Sequence, residues 1–244
     1  MCRRFWTGPQ GRHASLHMDR FLSLVCSFSA PNVFNPWTDA DPQFDLPGQG
    51  PQMRLARLKD HLNIDPALML IGEAPGFQAC RVSGVCFASE RLILDGVIPR
   101  VTTDGQRISS RLLPFSEPSA TIVWGALYRY GLAERTILWN AFAWHPHSPA
   151  SGQTNRTPTT EELDASKKVL QELMSTFRGV PILSVGRTAQ GLLATLAIPT
   201  SGYVRHPARG GANEFRSGIA QWAQRITAAS APNPSVSSRR FGNY

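Results

Sequence analysis

Leu68-Met-Leu-Ile-Gly-Glu-Ala-Pro-Gly76 is a short apolar run that breaks at once into a glycine–proline turn carrying one acid. It reads as a buried strand emptying into a tight loop, with Glu73 delivered at the strand's carboxyl end. In open parallel sheets, ligands bind in the crevice outside those ends. Gly72 and Gly76 permit close backbone approach or a positive φ, and Pro75 stiffens the turn. The same pattern also serves as an ordinary structural turn. Its meaning depends on what the rest of the chain supplies.

Working outward, residues 51–62 carry helical periodicity, with Met53, Leu55 and Leu58 available for one buried face. Region 73–116 holds few periodic elements and many polar turns; loops this long are functional or contain small local helices. Helix signals resume at Glu117-Pro-Ser-Ala, run from Ile122 to Tyr130 and stop at Gly131. Thr136-Ile-Leu-Trp-Asn140 reads as a second strand. Thr157-Pro-Thr-Thr-Glu-Glu opens a helix with proline and acids in its first turn and Leu163, Val169, Leu170 and Leu173 turned inward. Pro181–Gly186 is a third strand, followed by a helix over 187–196. Tyr203-Val-Arg-His206 is a fourth short strand, followed by an amphipathic helix over 214–228.

This alternation predicts an α/β fold: a three-layer α/β/α sandwich with a central four-stranded parallel sheet. Arg20–Ala30 has a faint signal-peptide look, but its apolar run is short and a buried first helix is the preferred reading. Residues 1–17 lack acids and precede a second methionine, Met18, so they read as a flexible N-terminal extension. The single domain then covers 18–228, and the Ser/Pro-rich stretch 229–244 reads as a disordered tail. There is no internal repeat.

Composition narrows the class. A chain of 244 residues, 42% apolar, holds one sizeable domain or at most two small ones. The net charge is +8 and is almost all arginine, because Lys59, Lys167 and Lys168 are the only lysines. The planar arginine fork suits phosphate oxygens, which makes nucleic acid the leading partner; a GC-rich coding bias is the alternative. No apolar run approaches the ~20 residues of a membrane span. Cys2, Cys26, Cys80 and Cys86 are not at metal-finger spacing. An intracellular chain with reduced thiols and no metal is the simplest expectation; the location expected for it is cytoplasmic, in a bacterium and nucleoid-associated in use.

Three strand ends carry chemistry. The first gives Glu73, the second Asn140, and the fourth His206-Pro-Ala-Arg-Gly-Gly211. In a parallel sheet these ends share one edge, so a carboxylate, a carboxamide and an imidazole can meet in one crevice. Arg205 and Arg209 make the last loop basic. Each residue also has a structural reading: a solvated loop acid, a turn cap, and a histidine before a turn proline.

In this order the motifs resemble the uracil-DNA glycosylase superfamily, particularly the branch whose first motif is Gly-Glu-Ala-Pro-Gly. The resemblance covers most of residues 50–225. Ser83-Gly-Val-Cys-Phe87 is similar to the segment ending in a base-stacking aromatic, and Asn140 to the strand-end asparagine. Asn155-Arg-Thr-Pro158, Leu183-Ser-Val-Gly186 and His206-Pro207 match later elements. The resemblance implies a monofunctional glycosylase of base excision repair that flips uracil out of DNA and hydrolyses its N-glycosidic bond. It implies Glu73 and His206 as catalytic residues: Glu73 would orient or activate water or favour the cationic sugar, and His206 would donate to uracil O2. Gly72, Ala74, Phe77, Phe87 and Asn140 would bind uracil, with Phe87 stacking, Asn140 reading O4 and N3–H, and Phe77 as a gate beside C5. Pro75, Gly76, Arg156, Arg187, Arg205, Pro207, Arg209 and Gly210 would contact DNA. The implied partners are single- or double-stranded uracil-containing DNA, the abasic product and free uracil, met by a monomer without a cofactor.

Three departures stand out. The best-known branch carries Asp where this chain has Ala74, so the water-activating role of Glu73 comes only from the Gly-Glu-Ala-Pro-Gly branch. That branch usually holds an iron–sulfur cluster on four cysteines, and two of the ligand positions here carry Trp144 and Ala165-Ser166. A cluster is therefore not expected, with Trp144 filling its place. Ala208-Arg209 stands where many relatives carry Ser-Pro and an apolar wedge, which leaves the intercalating residue unassigned. A non-catalytic uracil- or abasic-DNA binding module is one alternative, and a glycosylase for hypoxanthine or xanthine is another. Asn140 with Phe87 favours uracil; Glu73 with His206 favours an enzyme.

Overall fold

In a computed structural model, which describes residues 11–101 and 105–230, the four apolar runs pair into one parallel sheet. In chain order the elements are α1 (Gly11–Ser27), β1 (Val33–Phe34), α2 (Pro51–Leu62), β2 (Leu68–Gly72), α3 (Cys80–Ser83), α4 (Glu90–Leu94) and α5 (Pro118–Arg129). A 3-10 turn, Ala133–Arg135, leads into β3 (Thr136–Asn140). Then come β4 (His145–Pro146), α6 (Thr160–Thr176), β5 (Ile182–Val185), α7 (Arg187–Thr195), β6 (Gly202–Val204) and α8 (Ala212–Ser230). The sheet order is β3-β2-β5-β6, in an α/β/α arrangement. Every residue of β2, β3 and β5 is buried. That is why these strands read as continuous apolar runs with no alternation: helices cover both faces of a parallel sheet.

Local chemistry starts the helices. Pro51 and Pro118 occupy the first turns of α2 and α5, where a missing N–H costs nothing. Thr159 and Glu162 form a reciprocal capping box at the start of α6. α1 packs along α6 and α5 against α8. The exposed edge of β3 is covered by α2, whose His61 Nε2 accepts the Leu138 N–H at 3.0 Å. Burial, together with Arg100, pushes the His61 pKa down to about 3.

The first helix buries Met18, Phe21 and Val25, but it begins at Gly11. The boundary expected at Met18 therefore falls inside α1, and His17 bonds Glu172 of α6. Residues 1–10 of the expected extension and 231–244 of the expected tail lie outside the described residues. A two-stranded antiparallel ribbon, β1 with β4, pairs Val33 with Pro146 and Phe34 with His145. None of the described helices is long and apolar enough to cross a membrane.

Candidate active site

β2 and β5 are neighbours, yet β2 is followed in sequence by β3 on its other side. This is a topological switch point, where the two loops leaving the carboxyl ends part and open a crevice. A cleft of about 960 Å³ lies there. Its lining includes Glu73, Ala74, Phe77, Phe87, Asn140 and His206, so the sheet brings the expected site residues together. Gly72 stands directly behind them, paired with Asn140 in the β2–β3 register.

Gly72, Phe87 and Asn140 form one tightly fitted wall. A Cβ on Gly72 would lie 2.5 Å from Phe87 Cζ and 2.7 Å from Asn140 Oδ1, so only glycine admits both side chains. Phe87 is held in the left-handed region at φ 52, and its carbonyl accepts the Trp124 indole N–H at 2.9 Å. Non-glycine residues in that region are costly and concentrate at functional sites. Asn140 is 3% exposed and donates from Nδ2 to Cys86 Sγ at 3.1 Å. Cys86 lies 3.6 Å from Cys80 Sγ, and burial first, then Cys80, raises its pKa, so it stays a thiol. Cys86 Sγ accepts in this contact, which orients the Asn140 carboxamide. Oδ1 and the second Nδ2 hydrogen remain for a ligand.

Glu73, half-buried, lines the cleft and accepts the Thr157 hydroxyl on Oε1 at 2.6 Å. Ala74 beside it supplies no acid. Phe77 is almost buried, packed on Phe115 and Phe44, and its N–H donates to Asn155 Oδ1 at 2.8 Å. Asn155 is oriented in turn by His145. The His145 Nδ1 accepts from Arg81, a residue that only donates, so Nε2–H faces Thr154 O and Asn155 Oδ1. Arg81 is paired with Asp41 at 2.8 Å. Burial and Arg81 push the His145 pKa down to about 3. His145 thus supports the wall without titrating near neutrality.

His206, just beyond β6, lies across the sheet edge from Asn140, three strand spacings or roughly 14 Å away. Gly186, at φ 89, allows it in: a Cβ there would sit 3.0 Å from that of His206. The His206 Nδ1 accepts the Ala208 N–H at 3.1 Å. Burial lowers its pKa against the pull of Glu117 and Glu73, with Arg205 pushing the same way as burial. The ring is neutral at pH 7 and its proton is on Nε2, which makes it an uncharged donor.

Pro75, Gly76, Arg187, Arg205 and Arg209 line the cleft; Pro207 and Gly210 lie in the same final loop. Arg187 and Arg209 are exposed. Arg156 also lines the cleft. Its fork grips Glu162 at 2.7 and 2.6 Å and its Nε donates to His147 O, so it staples the turn before α6. Sequence reasoning missed Cys86, Trp124, Thr157 and Glu117, whose roles come from contacts distant in the chain. Glu117 had a signal only as a helix start.

The residues at the relatives' cluster positions do not fit a cysteine-held iron–sulfur group. Trp144 is 1% exposed, stacks on Phe28 with centroids 3.9 Å apart and donates to Val25 O. The Ser166 hydroxyl accepts the Ala143 N–H. Neither side chain is a cluster ligand of the cysteine type. Among the described residues, no group of three or more His, Cys, Asp or Glu is arranged to hold a metal ion.

The fold agrees with comparisons to known proteins. No curated protein matches the sequence. Similar solved structures include wild-type SMUG2 of Pedobacter heparinus, 11% identical, with a TM-score of 0.57 over 87% of this chain and 97% of that one. At that identity the likeness concerns the fold. The model of the Uracil DNA glycosylase superfamily matches residues 59–242. The chain belongs to the uracil-DNA glycosylase superfamily.

Proposed function

We propose that this DNA glycosylase excises uracil, hydrolysing the N-glycosidic bond of a flipped nucleotide and leaving an abasic site for base excision repair. The observation that carries the reading is the oriented Asn140 carboxamide beside Phe87, with the neutral His206 donor on the opposite wall. A base must leave the stack before its glycosidic bond can be reached. In the cleft, Phe87 stacks on the pyrimidine. The Asn140 Nδ2–H donates to O4, and Oδ1 accepts N3–H. Cytosine offers a donor and an acceptor in the opposite order, leaving buried groups unpaired.

Bond cleavage places negative charge on the departing uracil and positive charge on the sugar. His206 Nε2–H donates to O2 and stabilises the anion as an oxyanion-hole donor does. Glu73, fixed by Thr157, orients the attacking water and favours the cationic sugar. Arg187, Arg205 and Arg209 hold phosphates. The working state is a monomer without a cofactor, acting on uracil-containing DNA in the cytoplasm. His206→Ala tests the assignment: single-turnover excision from a uracil oligonucleotide slows by about 10²-fold or more, as for loss of one oxyanion donor. Near-normal turnover rejects the role.

A further inference from the structure

Leu112 and Leu113 are the most exposed large apolar side chains among the described residues, at 94% and 70% exposure. The loop that carries them is stapled from below. The buried Glu90 carboxylate accepts the N–H groups of Ile108, Ser109 and Phe115 at 3.0, 2.7 and 3.3 Å, and the Ser109 hydroxyl as well. Arg107 donates to the carbonyls of Arg111 and Leu112 at 2.6 and 3.3 Å. A loop held this firmly keeps both leucines out in water.

The tip also sits beside the cleft. Phe115 packs on Phe77 with centroids 5.4 Å apart, and Phe77 and Glu117 both line the cleft. Leu113 is two residues from Phe115, so their Cα atoms are at most ~7 Å apart. Arg111 lies over the Phe115 ring at 4.3 Å, exposed beside the leucines. The final loop, with Ala208 and Arg209, offers no large apolar side chain of its own.

We infer that Leu112 and Leu113 form an apolar wedge that enters the base stack of duplex DNA beside the cleft and fills the space a flipped nucleotide leaves. Arg111 meets the adjoining phosphates. The inference rests on the glycosylase reading of the cleft. Leucines inserted between base steps unstack and kink a duplex, and flanking cations suit its backbone. Two side chains fall far short of the roughly 800 Å² per partner buried in a stable protein–protein interface. DNA therefore fits the patch better than a protein does.

The test compares the full chain with its Leu112→Ser/Leu113→Ser variant on a duplex carrying 2-aminopurine next to a tetrahydrofuran abasic-site analogue. The substituted side chains are exposed, and equal melting temperatures confirm an intact fold. The wild-type protein raises the 2-aminopurine fluorescence; the variant loses that rise and binds the duplex roughly tenfold or more weakly relative to single strand. An unchanged rise in the variant, or none with the wild type, overturns the wedge. The analogue requires no bond cleavage. A protein that unstacks it through these leucines but excises no base refutes the glycosylase reading alone. A protein that excises uracil but whose duplex handling ignores the substitution refutes the wedge alone.

Discussion

Replacing Gly72 by alanine tests how closely the base pocket is fitted. Gly72 does not occupy a positive φ, so its backbone accepts alanine and the effect comes from space alone. The new methyl would lie 2.5 Å from Phe87 Cζ, 2.8 Å from Cε2 and 2.7 Å from Asn140 Oδ1. To restore ordinary contact, the ring must retreat by roughly 0.9 Å and the carboxamide by roughly 0.7 Å. Neither moves freely. Phe87 is anchored through its carbonyl to Trp124, and Asn140 through Nδ2 to Cys86. Overpacking of this kind costs about 1–3 kcal/mol, and in a chain of this size each kcal/mol lowers Tm by about 2–4 °C. A misplacement of about 1 Å at the reacting group costs on the order of 10²-fold in rate. Gly72→Ala is therefore expected to stay folded, melt a few degrees lower and lose about two orders of magnitude in single-turnover uracil excision. A folded variant that excises uracil within a few-fold of the wild-type rate refutes the assignment of this wall to the base.

Two further outcomes follow from buried groups. Cys86→Ala leaves an Asn140 N–H unpaired and the carboxamide free to reorient, at a cost of about 1–3 kcal/mol. The ratio of uracil to cytosine excision should fall, with Cys86→Ser retaining more of it; an unchanged ratio in Cys86→Ala removes the thiol from base recognition. His61 and His145 each have a pKa lowered to about 3 in the folded state. Below the ordinary value near 6.5 the unfolded chain binds protons that the folded chain refuses, so stability falls as pH drops from about 6.5 towards 3. At pH 4.5 the two together cost on the order of 5 kcal/mol. Urea midpoints that stay level between pH 6.5 and 4.5 contradict the burial of both rings as neutral species.

The strand over 68–72, the strand over 136–140 and the helix over 51–62 were legible to the residue. Fully buried parallel strands are unbroken apolar runs ended by turn residues, and Pro51 marks a helix start. β1 and β4, two residues each, carry too little pattern to read, and their pairing is a long-range contact. The long segment after Glu73 is organised by Glu90, whose four loop hydrogen bonds are tertiary and leave no periodic trace. At the site, Glu73, Asn140 and His206 could be located because strand ends converge by topology. The supports of that site could not: Cys86 lies 54 residues from Asn140, and Thr157 lies 84 from Glu73. The pairing of Arg156 with Glu162, the acid of the adjacent capping box, was likewise not read from the sequence.

The central claim is uracil excision by this cleft. Its most direct test incubates the purified full chain with single- and double-stranded oligonucleotides carrying uracil, hypoxanthine, xanthine or a thymine mismatch, followed by alkali to cleave at abasic sites. The account predicts alkali-labile strands from the uracil substrates, abolished when His206 and Asn140 are both replaced by alanine. Excision of hypoxanthine or xanthine with uracil untouched would contradict the reading of Asn140, and alkali-stable strands throughout would contradict the glycosylase reading itself.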